Sequence, residues 1–149
     1  MANDSNQQEK ITGRCYCGAK SLRASSEPLS VVYCHCSDCK RVTGAPLAAF
    51  AGFSEAILTI SPDPGPPCSH HPGVDRWFCK DCGSPLAARY DYLPGQIYVP
   101  LGLLDQAETL QPSMHCHAAS NYAWLHLADG LPRQQNSGRD ALLSDEPAR

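Results

Sequence analysis

Hydrophobic residues along this 149-residue chain fall into short runs that often alternate with polar residues and are separated by turn residues. Runs of this kind, rich in β-branched and aromatic residues, are typical of β-strands. We therefore predict a strand, a cysteine turn and a strand within ITGRCYCGAKSLRAS (11–25), and a strand in LSVVYCHC (29–36) that leads into a cysteine cluster. We also predict a strand in AILTI (56–60), a second strand–turn–strand unit within RWFCKDCGSPLAARY (76–90), and a strand in QIYVPLGLL (96–104) that is broken near Pro100. The first two strands flank a turn with two cysteines, and so do RWF and PLAARY.

Three further segments are less regular. GAPLAAFAGF (44–53) is small and apolar, and its pattern fits either a buried strand or a short helix. SPDPGPPCSHHPGVD (61–75) contains five prolines and two glycines, which predicts a loop. HCHAASNYAWLHL (115–127) is mixed and is predicted to cover one edge of the core.

The two ends of the chain are polar. We predict a disordered N-terminus over residues 1–10 and a disordered tail over 133–149, where the sequence reads RQQNSGRDALLSDEPAR. The remaining residues, 11–132, are enough for one domain with its own core but too few for two.

Composition refines this picture. Thirteen prolines and eleven glycines disfavour long helices, so the fold class is predicted to be mostly β. A net charge of −3 without a basic run gives no reason to expect a nucleic-acid partner. No apolar stretch reaches the roughly 20 residues of a membrane span. The polar start MANDSNQQEK lacks the pattern of a signal peptide, so a cytoplasmic location is expected.

Nine cysteines are the most informative feature of the composition. An odd number cannot pair completely into intramolecular disulfides, and cytosolic thiols stay reduced. Seven of the nine lie at metal-binding spacings, as C-x-C, C-x-C-x-x-C and C-x-x-C. Two pairs are each followed by a glycine that permits a sharp turn, and together they would form a four-thiolate zinc site: Cys15, Cys17, Cys79 and Cys82. This site would connect segments more than about 60 residues apart and stabilise the fold.

The remaining cluster has three cysteines, Cys34, Cys36 and Cys39. Three protein ligands and one open position are the arrangement of a catalytic zinc, with the fourth position available to water or a substrate thiol. The alternative is a second structural zinc that is closed by another side chain. Its candidates are His35, Cys116 and the histidines at 70, 71, 115 and 117, although His35 should point away from its neighbours on an extended segment.

Five motifs occur in a fixed order: GRCYCG, YCHCSDCKRVTG, RWFCKDCGSPL, IYVPLGLLD and MHCHAASNYAWLHLADGLP. Together they resemble the glutathione-dependent formaldehyde-activating enzyme family, which includes centromere protein V, over about Gly13 to Pro132. The resemblance implies a single-domain β-tent fold with two Zn²⁺ per chain, one structural and one catalytic. It also implies a carbon–sulfur lyase-type activity, the formation or cleavage of S-hydroxymethylglutathione, with glutathione as co-substrate.

Three thiolates give the zinc a formal charge of −1, which weakens its activation of water but still allows it to deprotonate a bound thiol. His35, Asp38 and His115 are candidates for proton transfer, although a structural hydrogen-bonding role is the alternative for each. Lys40 and Arg41 are candidates to bind glutathione carboxylates, unless they are only a solvated surface. Cys68 and Cys116 are expected to be a loop thiol and a small buried residue. The functional hypotheses are thus an enzyme acting on a small thiol or its aldehyde adduct, and a scaffold in which both zincs are structural.

Overall fold

The computed structural model describes residues 9–143, so residues 1–8 and 144–149 of the predicted disordered ends lie outside the described part. The strands are β1 (Ile11–Arg14), β2 (Ser21–Ala24), β3 (Ser30–Cys34), β4 (Ala48–Ser54), β5 (Leu58–Ser61), β6 (Val74–Phe78), β7 (Pro85–Tyr90), β8 (Gln96–Pro100) and β9 (Met114–Cys116). The α-helices are α1 (Ser37–Thr43) and α2 (Arg139–Leu142), and three short 3₁₀ turns follow β8 and β9 at Leu101–Leu103, Ala107–Thr109 and Ala118–Ser120.

The strands form two sheets. One has three strands in the order β1-β2-β5, and the other has six in the order β6-β7-β8-β4-β3-β9. Neighbouring strands are antiparallel except β3 and β9, which are parallel. The fold is therefore mostly β with few helices in a single domain, as the sequence predicts.

The side-chain alternation of the six-stranded sheet separates two cores. Val31 and Val99 face a core shared with Ile11 and other residues of the three-stranded sheet. The adjacent residues Val32 and Tyr98 face the opposite core, which contains the cysteines of the triple cluster. Because successive strand residues point to opposite faces, one face of the sheet supports the small sheet while the other supports the cysteines of the triple cluster.

The predicted strand–turn–strand units are confirmed, and the ambiguous segment GAPLAAFAGF contains strand β4. Helix α1 was not predicted, because the triple-cysteine segment was interpreted as a loop. Two local features form this helix. The Cys36 side chain accepts a hydrogen bond from the Cys39 N–H at its start, and Gly44 ends it in the left-handed conformation at φ 70°.

The ends of the described chain are more ordered than expected. The Lys10 N–H donates to the Ala24 carbonyl at 3.0 Å, although residue 10 was assigned to the disordered N-terminus. Residues 133–143 also belonged to the predicted disordered tail, yet they pack against the sheet. The Gln134 N–H donates to the His115 carbonyl at 2.8 Å, and Leu142 is buried in the same core as Val32. Burial of the apolar Leu142 side chain explains this order. The tail was predicted to be disordered because its composition is polar on average, and that average does not reveal one buried leucine.

Candidate metal centres and active site

The first cysteine group brings together two turns that lie far apart in the sequence. The ligand atoms of Cys15, Cys17, Cys79 and Cys82 all lie within 4.8 Å of one another. The Sγ atoms of Cys15 and Cys17 are 3.7 Å apart, and those of Cys17 and Cys79 are 3.8 Å apart. Zinc–sulfur distances of about 2.3 Å in a tetrahedron require sulfurs roughly 3.8 Å apart. The four thiols therefore fit a tetrahedral zinc ion.

Backbone geometry fixes these turns. Gly18 and Gly83 have φ angles of 81° and 78°, so the glycine after each pair adopts a left-handed conformation and makes the sharp turn that the sequence predicts. The Cys15 Sγ accepts the Lys20 N–H at 3.3 Å. Hydrogen bonds from the Ser84 hydroxyl and backbone lower the pKa of Cys82 to about 6. The second turn thus favours the thiolate of Cys82, the form that binds metal.

The second group lies where β3 meets α1. Cys34 ends the strand, Cys36 caps the helix, and Cys39 lies buried in its first turn. Hydrogen bonds from the thiols of Cys34 and Cys39 lower the pKa of Cys36. The three side chains converge because a strand and a helix meet at a short extended connection. This convergence suits a thiolate-rich metal centre.

One histidine lies beside these sulfurs. The ring nitrogen of His117 and the Sγ atoms of Cys34 and Cys36 all lie within 4.8 Å of one another. The parallel register of β3 and β9 pairs Cys34 with Cys116, which places His117 next to the cluster. His117 was one of several fourth-ligand candidates from the sequence, and the structure places it with Cys34 and Cys36 in a group that could hold a metal ion. Cys39 is not part of that group.

A cavity of about 490 Å³ lies above the triple cluster and is lined by all three cysteines. Burial raises the pKa values of Tyr90 and Tyr92 in its wall, so both phenols are neutral hydrogen-bond donors near pH 7. Arg76 and Arg139 also line the cavity. The cavity thus combines thiols, neutral phenols and two positive charges.

Of the three residues predicted to transfer protons, only Asp38 lines this cavity. His35 and His115 line a separate cavity of about 150 Å³. The His35 Nε2 and His115 Nδ1 are 2.8 Å apart, and the Asp129 carboxylate accepts the His115 Nε2–H at 2.8 Å. Burial and the neighbouring His115 lower the pKa of His35. As the sequence predicts, His35 points away from the cysteines beside it.

The predicted carboxylate-binding residues lie outside the large cavity. The Lys40 ammonium donates to the Ser120 carbonyl and lies 3.6 Å from the centre of the Tyr122 ring. Arg41 lines a different surface pocket. Sequence reasoning missed Arg76 and Arg139, because neither is close to the triple cluster in the sequence.

Cys116 and Cys68 occupy the environments expected for them. Cys116 is buried in the core beside the large cavity, and burial raises its pKa to about 11. Cys68 is an exposed loop thiol whose backbone pairs with that of Arg76. Neither cysteine joins the four-thiol group.

Comparison with known proteins now places the chain. A family model described as glutathione-dependent formaldehyde-activating enzyme matches residues 10–120. The chain belongs to this family. It is 31% identical over 78 residues to an uncharacterized lyase of Schizosaccharomyces pombe, a match that covers 52% of the chain and 56% of that relative. The chain therefore spans about half the length of this curated relative.

The fold of this chain also has a solved neighbour. A crystal structure of a Rhodobacter sphaeroides protein superposes with a TM-score of 0.53 at 23% identity, over 63% of this chain and 87% of that one. This likeness supports the fold alone. Within residues 9–143, no helix is both long enough and apolar enough to cross a membrane.

Proposed function

We propose that this protein is a zinc-dependent carbon–sulfur lyase-type enzyme that forms or cleaves aldehyde adducts of glutathione or a similar thiol. The observation that carries the proposal is the position of three convergent cysteines on the wall of a 490 Å³ cavity. A purely structural zinc needs no cavity of this size. Family membership and the lyase name of the yeast relative support the same class of reaction.

In this proposal Cys34, Cys36 and Cys39 hold the catalytic zinc, and the four-thiol group holds the structural one. Zinc bound by three thiolates would lower the pKa of a substrate thiol while leaving its sulfur electron-rich and nucleophilic. The cysteines are held rigidly, because Cys36 accepts the Cys39 N–H at 3.2 Å and Cys39 is buried. Such fixed ligands would direct the substrate sulfur toward the cavity.

The cavity wall would orient the rest of the substrate. Glutathione carries two carboxylates, and Arg76 and Arg139 supply positive charge on the wall. Among the described residues, Arg76 has no carboxylate within ion-pair distance, and the contact of Arg139 is with its exposed neighbour Asp140 at 3.5 Å. Both guanidinium groups are therefore available to an anionic ligand.

Of the residues that the sequence suggests for proton transfer, one lines the large cavity. Asp38 lies in the exposed first turn of α1 and lines the cavity, so it would exchange a proton between a bound adduct and solvent. The pair of His35 and His115 lies behind the cysteine segment, where its hydrogen bonds would position β3 against β9. The roles of Lys40 and Arg41 stay predictions.

One observation favours the alternative of a non-catalytic scaffold. His117 lies with Cys34 and Cys36 at ligand distance, and a permanent fourth side-chain ligand would close the metal to substrate. A scaffold would bind no thiol at this centre. The large cavity argues against permanent closure, because a closed structural site has no use for a substrate-sized space.

The test is adduct formation from glutathione and formaldehyde by zinc-loaded protein, measured against the uncatalysed rate. Cys36→Ser should abolish the protein-dependent rate, because it removes a ligand from the centre. Cys68→Ser is the matched control, since this thiol is exposed in a loop outside the cavity. Equal rates for wild type and Cys36→Ser would exclude catalysis at this centre.

A further inference from the structure

His117 has an unusual backbone conformation. It is the single non-glycine residue of the described chain with a positive φ, at φ 52° and ψ 42°. In a continued strand β9, the side chain of His117 would point to the same face as that of His115. Instead, His115 lines the small cavity and His117 lines the large one. The left-handed turn therefore directs the His117 ring to the side of the cysteines.

Hydrogen bonds on both sides hold this turn. The His117 N–H donates to the Asn136 carbonyl at 2.7 Å, and the His117 carbonyl accepts the Ser120 N–H at 3.0 Å. One residue earlier, the Cys116 carbonyl accepts the His35 N–H at 3.1 Å. A left-handed conformation costs a non-glycine residue roughly 1–2 kcal/mol, and such costs are concentrated at functional sites. At His117 the left-handed backbone places the imidazole ring on the side of the cysteines.

The ring adds a nitrogen to the sulfurs of the triple cluster. Its nitrogen lies within 4.8 Å of the sulfurs of Cys34 and Cys36, and those two thiols share hydrogen bonds with Cys39. Three cysteines and one histidine are an established tetrahedral ligand set for zinc. We propose that His117 is the fourth protein ligand of this centre in the absence of thiol, and that an incoming thiol replaces it.

The two halves of this proposal have different foundations. Ligation by His117 rests on geometry, whereas replacement by a thiol rests on the proposed function. In the exchange the thiol would lose its proton to solvent, its sulfur would take the position of the ring nitrogen on the metal that the three cysteines would hold, and the His117 ring would swing away. Nothing is oxidised or reduced.

The structure shows why His117, rather than a cysteine, would be the ligand that leaves. Cys34 and Cys39 are buried on β3 and α1, whereas His117 is half-buried and belongs to the separate turn after β9. Rotation of its side chain would open the fourth position without moving the strand or the helix. The centre would then be protected from water at rest and accessible to a thiol.

Cadmium-113 NMR of the full chain with both centres loaded tests this directly. The proposal predicts two cadmium resonances, of which one correlates with the ring protons of His117. Saturating glutathione should remove this correlation and shift that resonance toward the position of the four-sulfur site. His117→Asn should lack the correlation and release the metal to a chelator at least about tenfold faster. Asparagine tolerates the left-handed conformation, so this variant should keep the backbone turn.

His71→Asn is the matched control, because His71 is exposed and outside the large cavity. It should leave both resonances and the rate of metal release unchanged. A thiol-free spectrum without a His117 correlation would overturn the ligand assignment. If the cadmium resonance of the triple cluster in that sample still shifted when glutathione was added, the proposed function would remain intact. A His117 correlation that persists at saturating glutathione would uphold ligation but overturn replacement, and with it thiol binding at this centre.

Discussion

Replacing Leu142 by alanine tests whether the segment after Pro132 is part of the fold. Leu142 is 8% exposed and packs in the core with Cys34, Cys39 and Tyr98. Its carbonyl also accepts a buried hydrogen bond from the Gln96 Nε2 at 3.1 Å, which alanine would retain. The substitution therefore isolates the contribution of the side chain.

The expected cost follows from the carbons removed. Leucine loses three carbons, worth about 0.8 kcal/mol each when buried, and a cavity term adds to this in closed cores. Because Leu142 also lines the large cavity, solvent can fill the space it leaves, and the cavity term should be small. We expect a loss of roughly 2–3 kcal/mol in the free energy of unfolding.

Urea unfolding of the metal-loaded chain, followed by tryptophan fluorescence, measures this loss. Leu29→Ala is the control, because Leu29 is 60% exposed and its truncation should cost less than about 0.5 kcal/mol. If Leu142→Ala were as stable as Leu29→Ala, the segment would not pack as the structure shows. The assignment of Leu142 to the core would then be wrong.

Further predictions concern the substrate, the structural centre and the histidine pair. Arg76→Met and Arg139→Met should each raise KM for glutathione about fivefold, equivalent to roughly 1 kcal/mol, in steady-state assays. KM for the uncharged thiol 2-mercaptoethanol should not change, and equal effects on both thiols would refute the carboxylate assignment. Gly18→Ala should destabilise the zinc-loaded protein by roughly 1–2 kcal/mol in urea, because φ is 81° there; an unchanged midpoint would contradict the need for glycine. Asp129→Asn should lower the urea midpoint by weakening the hydrogen bond to His115, and an unchanged midpoint would show that this bond is not stabilising.

The metal-binding turns were predictable because their chemistry is local. Cys15 and Cys17 are two residues apart, as are Cys34 and Cys36, and such spacings place sulfurs together whatever the rest of the fold does. The glycine that follows the first pair is explained by the same turn, with Gly18 at positive φ. Strand predictions succeeded for a similar reason, since alternation over a few residues determines which face is buried.

The walls of the cavity were not predictable from local patterns. Arg76 lies on β6 and Arg139 at the start of α2, and only the packed fold brings them near Cys36. The position of His117 depends on one left-handed residue, which no periodic pattern encodes, because positive φ is uncommon in any residue other than glycine. The order of the C-terminal segment depends on Leu142, a small apolar signal within a polar stretch.

Helix α1 illustrates the same limit at short range. A cysteine rather than serine or aspartate caps it, so the usual capping residue is absent, although Asp38 is an acidic residue in the first turn. The sulfur that accepts the Cys39 N–H also belongs to the triple cluster. Helix capping and the proposed metal binding thus share one side chain.

The most direct test of the central claim asks whether the sulfur of a substrate thiol can bind the metal that the triple cluster would hold. Zinc X-ray absorption of the protein with the selenol analogue of glutathione would measure this, because selenium scatters distinctly from the protein's own sulfurs. We predict a zinc–selenium scattering path in wild type and Cys68→Ser, and its loss in Cys36→Ser. A saturated wild-type sample without any zinc–selenium path would contradict the account.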